Sequence, residues 1–297
     1  MSRIRAAFAI ALCGYGLALA SPACGAAELR DDRGIAVRLA APAARIVTLA
    51  PHLAEIVFAA GAEEKLVGVA LFSDYPAGVR QLPRVGDASR IDIERVLLLR
   101  PDLVLAWKSG NQPGDVLRLE QLGVPVFVTE PVRLPDVSRL IRAVGVLAGT
   151  QRRAADTAAR FEAEIGALHG RFSTRRAIRV FYEIWHRPLL TVNGSHMISD
   201  VIRLCGGRNV FAAAPMLTPT VSLEAVLAAQ PEVIVGGGSG ISARDFEAQW
   251  RNHRIPTLQK RGLIHVAPDE IQRASPRIAA GARTVCEGLE RFRAMPR

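Results

Sequence analysis

The sequence lacks several of the patterns that identify common classes of protein. After its N-terminal segment, no apolar run approaches the length of about 20 residues that a transmembrane helix needs. Aromatic residues make up only 5% of the chain, and they are not interleaved with the scattered basic residues, which argues against nucleic-acid binding. No GxGxxG turn follows the first predicted strand, and no GxSxG elbow or paired carboxylate motif occurs. A Rossmann-type enzyme is therefore only a remote alternative, and we expect no enzyme activity.

The first 27 residues have the pattern of a secretory signal peptide. Arg3 and Arg5 precede a short apolar segment, which is followed by small residues. This is the usual order of a basic region, an apolar core and a cleavage site. Cleavage after Ala20 or after Ala27 fits the pattern, and a lipoprotein signal ending at Cys24 fits it less well. We expect export to the periplasm.

The chain has four cysteines, and two of them fall within the predicted signal. Cys205 and Cys286 are the pair that remains after export. A single pair in an oxidising compartment can form a disulfide. The alternative is two separate buried thiols, because free cysteine packs as a small hydrophobic residue. Export favours the Cys205–Cys286 disulfide.

Short β-branched segments alternate with helical patterns along the chain. The 270 residues that follow the signal (297 − 27) exceed the usual size of one core and suggest two domains. The candidate strands are near-continuous apolar runs, at residues 45–49, 66–70, 102–106, 124–129, 178–184, 232–235 and 263–266. Such runs separated by helices are typical of parallel sheets covered on both faces. The predicted fold class is α/β.

Two helical patterns lie between the halves of the chain. Apolar residues at helical spacing predict one helix over 135–147, ending at Gly149, and a second over 150–170. The second helix, with some 20 residues, would form a stiff rod of about 30 Å. We expect a signal peptide, an N-terminal lobe, a bridging helix and a C-terminal lobe at residues 1–27, 28–149, 150–172 and 173–297.

A diverged repeat relates the two halves. IERVL, which contains Glu94, leads to PDLVL, and LEAVL, which contains Glu224, leads to PEVIV. The glutamate precedes the proline by seven residues in both copies (101 − 94 and 231 − 224). A weaker echo pairs EIV, beginning at Glu55, with DVI, beginning at Asp200. Two similar lobes favour a binding site in the cleft between them, at the carboxyl ends of the strands.

Several segments, in order along the chain, resemble one family. They are IVTLAPHLAEIVFAAG at 46–61, SDYP at 73–76, PDLVLAW at 101–107 followed by GN, CGGRNVF at 205–211 and RASPR at 273–277. Together they resemble the cobalamin branch of the periplasmic substrate-binding proteins of ABC importers, a family that also includes haem and ferric-siderophore binders. The resemblance implies two Rossmann-like lobes with parallel sheets, joined by one long bridging helix. It also implies capture of a corrinoid (cobalamin) as transported ligand, with no resident cofactor.

The resemblance supplies candidate ligand-binding residues. Trp107 matches an aromatic wall for a flat macrocycle, and packing against its own lobe is the alternative. Phe72 stands where cobalamin binders carry an aromatic residue before SDYP, and Tyr75 lies within that motif. Asp269 and Arg273 match positions lining the cleft, where an acid accepts hydrogen bonds from corrin amides. A surface ion pair is the alternative there.

Other positions match the family less simply. His52 lies at a predicted strand-to-helix turn, either as a helix-start residue or as a contact to the corrin or its cobalt. Ala88, Thr218 and Glu270 stand where family members often carry tryptophan, and Trp185 is the candidate that compensates for them. Because of these departures, haem or a ferric siderophore is the alternative ligand. The remaining histidines have no spacing typical of metal ligands, so we expect no dedicated zinc or manganese site.

Glu94 and Glu224, the repeated glutamates, are candidates for docking to a membrane partner. In the resembling proteins these glutamates lie on the lobe tips and pair with arginines of the permease dimer in the inner membrane, one lobe to each subunit. The alternative is a purely local role, because an acid in the first turn is stabilised by the helix dipole. We expect a monomer that meets this permease and binds no nucleic acid.

Overall fold

The computed structural model describes residues 27–87, 89–237, 241–251, 253 and 262–295. Residues 1–26 of the predicted signal lie outside the described residues. The rest of the chain forms two four-stranded parallel sheets and a short antiparallel hairpin, with helices around them. The predicted α/β class is confirmed. Within the described ranges, no helix is both long and apolar enough to cross a membrane.

The N-terminal lobe contains the hairpin and the first parallel sheet. Its strands are β1 (Ala27–Arg30), β2 (Ala36–Leu39), β3 (Ile46–Thr48), β4 (Leu66–Val69), β5 (Leu103–Trp107) and β6 (Val126–Thr129). Its helices are α1 (Pro51–Ala59), α2 (Ile93–Leu98) and α3 (Pro113–Gln121). β1 pairs with β2, and the parallel sheet has the order β4-β3-β5-β6. Its central strands β3 and β5 are buried, apart from the partly buried Trp107 at the end of β5, as their apolar runs predict.

Two helices follow this sheet, α4 (Leu134–Ala148) and α5 (Gln151–Phe172). α4 ends at Gly149, whose φ of 72° and closeness to Pro42 leave no room for a side chain. α5 has 22 residues and is therefore about 33 Å long. It is the predicted long helix between the lobes. The exact residues at which one lobe ends and the next begins stay a prediction.

The C-terminal lobe contains the second parallel sheet. Its strands are β7 (Ile178–Glu183), β8 (Gly207–Asn209), β9 (Val233–Gly236) and β10 (Leu263–His265). Its helices are α6 (Met197–Leu204), α7 (Leu223–Ala228), α8 (Ala243–Arg251), α9 (Pro268–Ile271) and α10 (Ile278–Arg293). The sheet has the order β10-β9-β7-β8. When the strands of each parallel sheet are numbered in chain order, both sheets have the spatial order second-first-third-fourth. The two lobes therefore share one topology.

The predicted repeat is present in structural detail. α2 and α7 each begin at a side-chain cap, bury one valine and end shortly before a left-handed residue that precedes a proline. The corresponding residues are Asp92 and Ser222 at the caps, Val96 and Val226 in the core, and Arg100 and Gln230 in the left-handed region. Proline disfavours the right-handed helical region for the residue before it, which ends the helix at this point in both lobes.

The two lobes share one apolar core, and a disulfide links two helices within the C-terminal lobe. One cluster of buried apolar residues runs from Ile46 in the first sheet through Phe161 on α5 to Val180 in the second. This continuity makes α5 a packed strut rather than a free linker. Cys205, at the end of α6, is bonded to Cys286 on α10, which confirms the predicted pairing.

Candidate ligand-binding cleft

A cavity of about 180 Å³ lies between the lobes. The turns after β3, β5 and β6 form its N-terminal wall, and the start of α6 and the segment after α9 contribute to its C-terminal wall. Representative lining residues are His52, Trp107 and Glu130 from the first lobe and His196, Leu217 and Arg273 from the second. The first wall lies at the carboxyl ends of its strands, where open α/β sheets commonly bind ligands.

Trp107 is the aromatic wall of the cavity, and the residues after it hold it there. An added Cβ at Gly110 would overlap the indole ring, so the turn needs glycine at this position. Asn111 accepts a hydrogen bond from the backbone N–H of Trp107 at 2.7 Å and donates one to the carbonyl of Leu49 at 2.9 Å. Gly110 and Asn111 therefore hold Trp107 next to the end of the neighbouring strand β3.

His52, in the first turn of α1, is a buried and neutral part of the same wall. Its ring meets Trp107 edge-on, with 5.3 Å between ring centroids. Burial, assisted by the positive charge of Arg273, lowers the pKa of His52 to about 4. Among the described residues its Nε2 has no hydrogen-bond partner. An unpaired buried nitrogen costs about 1–3 kcal/mol, and its place in a cavity wall fits a ligand-binding residue.

Arg273 lines the cavity and also ties the lobes together. Its Nη1 contacts Glu55 at 2.9 Å and Asp74 at 2.6 Å, both in the N-terminal lobe. Its Nη2 contacts the carbonyl of Phe72 at 3.3 Å and Asp269 at 2.9 Å, which is the ion pair given above as the alternative. Asp269 is not among the described lining residues of the cavity, and its role in ligand binding stays a prediction. Burial tends to raise the pKa of Asp74, but the hydrogen bond and charge of Arg273 outweigh it and lower that pKa.

Glu55 is the buried centre of this contact. It is only 3% exposed and lies on α1, within the motif at 46–61 and at the start of the weaker echo, but neither pattern predicted this contact. Besides Arg273, it accepts a hydrogen bond from Ser275 Oγ at 2.6 Å and lies 3.5 Å from Arg277. We call the pair of Glu55 and Arg273 the Glu55 clasp.

A second clasp mirrors the first. Asp200 on α6, 7% exposed, lies 2.6 Å from Arg133, the residue that caps α4. We call this pair the Asp200 clasp. In each clasp the acid lies on the helix after the first strand of one sheet. The arginine follows the fourth strand of the other sheet. The weaker sequence echo of Glu55 with Asp200 thus marks two equivalent contacts between the lobes.

Three predicted ligand-binding aromatics, Phe72, Tyr75 and Trp185, do not line the cavity but lie beside it. We call them the rim aromatics. Phe72 is 76% exposed and has a φ of 65°, a conformation uncommon for a residue with a bulky side chain. Its carbonyl accepts from Arg273, so its backbone adjoins the cavity wall. Tyr75 and Trp185 are also exposed.

Tyr75 and Trp185 are each connected to the cavity through a neighbouring residue. The guanidinium of Arg277, next to the Glu55 clasp, lies 4.4 Å from the centroid of the Tyr75 ring. Trp185 follows Ile184, whose carbonyl accepts a hydrogen bond from the cavity-lining Gln272. A ligand that projects from the cavity would meet these exposed rings. Their role in binding stays a prediction.

The positions that depart from the family lie beside the cavity lining where they are described. Thr218 and Glu270 adjoin the lining residues Leu217 and Ile271, and Ala88 lies outside the described residues. In the described part of the chain, no three His, Cys, Asp or Glu side chains are grouped to hold a metal ion.

The repeated glutamates lie away from the cavity. Glu94 and Glu224 are exposed in the first turns of α2 and α7. A groove of about 630 Å³ adjoins Glu94 and is lined in part by Leu71 and Arg90. The structure therefore gives the two glutamates equivalent positions on the lobes. Whether they dock to a permease stays a prediction.

A profile of the periplasmic binding protein family matches residues 46–264, and the chain belongs to this family. The vitamin B12-binding protein of Vibrio parahaemolyticus is 35% identical over 249 residues, covering 84% of this chain and 90% of that protein. The solved periplasmic vitamin B12 binding protein BtuF of Vibrio cholerae has a TM-score of 0.79 at 33% identity, covering 86% and 99% of the two chains. The periplasmic heme-binding protein RhuT from Roseiflexus has a TM-score of 0.70 at 26% identity, covering 82% and 98%.

Proposed function

We propose that this protein captures a corrinoid such as cobalamin in the cleft between its lobes and delivers it to an ABC importer in the inner membrane. The observation that carries the proposal is the position of Trp107 in a cavity at the meeting point of the lobes. The similarity to proteins named for vitamin B12 binding supports the choice of ligand. The corrinoid is cargo in this proposal and not a resident cofactor.

The size of the cavity suggests how such a ligand would sit. Pockets that enclose drug-sized ligands measure about 300–1,000 Å³, and this cavity of about 180 Å³ is smaller. A corrinoid would therefore insert one part into the cavity, and the rest would project from it. The rim aromatics and Trp107 offer the flat apolar faces that a macrocycle needs there.

We infer that the cleft binds its ligand without reacting with it. Activated nucleophiles require a hydroxyl or thiol paired with a base. Neither His52 nor His196 forms a hydrogen bond with a hydroxyl, thiol or carboxylate among the described residues. The only bond of either ring found there is the one that His196 accepts from the N–H of Ile198.

We propose that the protein works as an exported monomer, after removal of residues 1–27, and meets a permease dimer. A two-fold permease presents two equivalent surfaces. α2 and α7 offer two equivalent exposed glutamates, Glu94 and Glu224. Charge complementarity with permease arginines would set the orientation and raise the rate of encounter.

Calorimetric titration of the mature protein with cyanocobalamin tests the ligand. We expect binding that quenches tryptophan fluorescence, and Trp107→Ala should weaken it by about 1–3 kcal/mol if the ring becomes desolvated. Cobinamide and haemin are titrated in parallel. Absence of cyanocobalamin binding up to millimolar concentration would refute the corrinoid proposal. Tight haemin binding in its place would support the haem reading, which the similarity to RhuT favours.

Transport through the reconstituted importer tests the docking sites. The double variant Glu94→Ala/Glu224→Ala should keep wild-type ligand affinity while transport falls sharply. A matched control removes one exposed acid from each lobe elsewhere, in Glu64→Ala/Glu287→Ala, and should transport normally. Wild-type transport by the first variant would leave the two glutamates as helix-stabilising residues only.

A further inference from the structure

His196 lines the cavity at the start of α6. It occupies the cap position of α6, where its Nδ1 accepts a hydrogen bond from the N–H of Ile198 at 3.1 Å. A neutral imidazole carries one N–H, so acceptance at Nδ1 puts the proton on Nε2. Among the described residues no partner to this Nε2 is found. His196 therefore has a spare hydrogen-bond donor in the cavity wall.

Capping alone does not require histidine at this position. Serine, threonine, aspartate and asparagine are the preferred helix caps, and each would accept the hydrogen bond from Ile198. Histidine does the same with one nitrogen and keeps a second polar atom farther along its ring. His52 adds another imidazole whose Nε2 is unpaired among the described residues. The cavity thus has one such histidine from each lobe.

The charge on the cavity wall suits an uncharged ligand rim. Burial lowers the pKa of His196 to about 4 and that of His52 also to about 4, so both rings are neutral near neutral pH. Arg273, the one Arg or Lys side chain among the described lining residues, is already bonded to three carboxylates. Glu130 adds an acidic group to the wall. No unpaired cation in the described lining would balance a ligand carboxylate.

We propose that the cavity selects a macrocycle whose rim carries uncharged amides over one whose rim carries carboxylates, with His196 Nε2–H donating to an amide carbonyl oxygen. A carboxylate moved into such a site loses its hydration and gains no counter-charge. An amide oxygen is satisfied by a neutral donor. This inference rests on the proposed corrinoid function and narrows it to a chemical class of ligand rim.

Two probes with the same ring and metal test the selectivity. Cobinamide carries amides on its rim, and cobyrinic acid carries carboxylates in their place. Calorimetry of the mature protein at pH 7 should give at least tenfold tighter binding of cobinamide. Equal or tighter binding of cobyrinic acid would overturn the inference. If the wild-type protein binds neither probe, the proposed function is itself wrong and the inference falls with it.

Two substitutions separate the cap from the donor. His196→Ser keeps a capping oxygen and removes the Nε2 donor, so cobinamide should bind about tenfold more weakly while cobyrinic acid binding changes little. His196→Gln places an amide N–H near the position of Nε2 but caps poorly, so its melting temperature should fall while cobinamide binding is kept. His169→Ser, on the exposed face of α5, is the control. Cobinamide affinity within twofold of wild type for His196→Ser would refute the role of the donor.

Discussion

Replacement of Glu55 by glutamine should destabilise the protein measurably, because Glu55 is the buried acid of a contact between the lobes. The side chain accepts from Arg273 and Ser275 and lies near Arg277. Removing one partner of a buried ion pair typically costs about 3–5 kcal/mol. Arg273 retains Asp74 and Asp269, and glutamine retains part of the hydrogen bonding. We therefore expect a loss of about 2–3 kcal/mol for Glu55→Gln.

Thermal unfolding followed by circular dichroism measures this loss. For chains somewhat shorter than this one, 1 kcal/mol corresponds to about 2–4 °C, so a loss of about 2–3 kcal/mol should lower the melting temperature by about 4–12 °C. Glu94→Gln is the matched control, because this glutamate is exposed and makes no ion pair with the other described residues. Its melting temperature should stay close to that of the wild type. A fall of less than about 2 °C for Glu55→Gln would refute a stabilising clasp.

Further outcomes follow from the disulfide and from the buried histidines. Free-thiol titration of the denatured, unreduced mature protein should find no thiols. Two free thiols would contradict the pairing. Replacing Cys205 and Cys286 by serine should lower the free energy of unfolding by up to about 4–5 kcal/mol, because the bridge closes a loop with a sequence separation of 81. The pKa of His52 and that of His196 are each lowered to about 4 in the folded protein, so between about pH 6.5 and 4 the unfolded chain binds more protons and stability falls on acidification. Urea unfolding at several pH values should show this fall in the free energy of unfolding, and the fall should be smaller in the double variant His52→Phe/His196→Asn. A wild-type free energy of unfolding that stays constant or rises on acidification would contradict the prediction.

The sheets and the long helix were predictable because their signals are local. Apolar runs such as that of β5 mark buried parallel strands, and the spacing of buried residues along α5 marks one helix face. β8 was missed because Gly207-Arg208-Asn209 contains no apolar residue, and its pairing with β7 supplies its structure. The hairpin of β1 and β2 was missed as well, because charged residues interrupt its apolar runs, at Glu28 and Arg30 in β1 and at Arg38 in β2.

The site was predictable only in part, because its contacts join distant parts of the chain. Trp107, His52 and Arg273 were found through motifs, and all three line the cavity. The Glu55 clasp joins residues 218 apart in sequence, so no spacing rule reveals it, although both residues lie in motifs that were noted. His196 carries no sequence signal for its position, because a lone histidine in a loop gains meaning only when the other lobe faces it.

The two clasps have the form of an interface between identical subunits. In a two-fold dimer, residue i of one subunit meets residue j of its partner, and j meets i in return. Here the acid of each lobe meets the arginine of the other lobe. If the second lobe were replaced by another copy of the first, Glu55 of each copy would pair with Arg133 of the other copy. In a true homodimer, identical residues would line the cavity on both sides of the two-fold axis. Fusion through α5 removes that restriction, and it lets Trp107 and His52 face His196 and Leu217 across one cavity, as an asymmetric ligand requires.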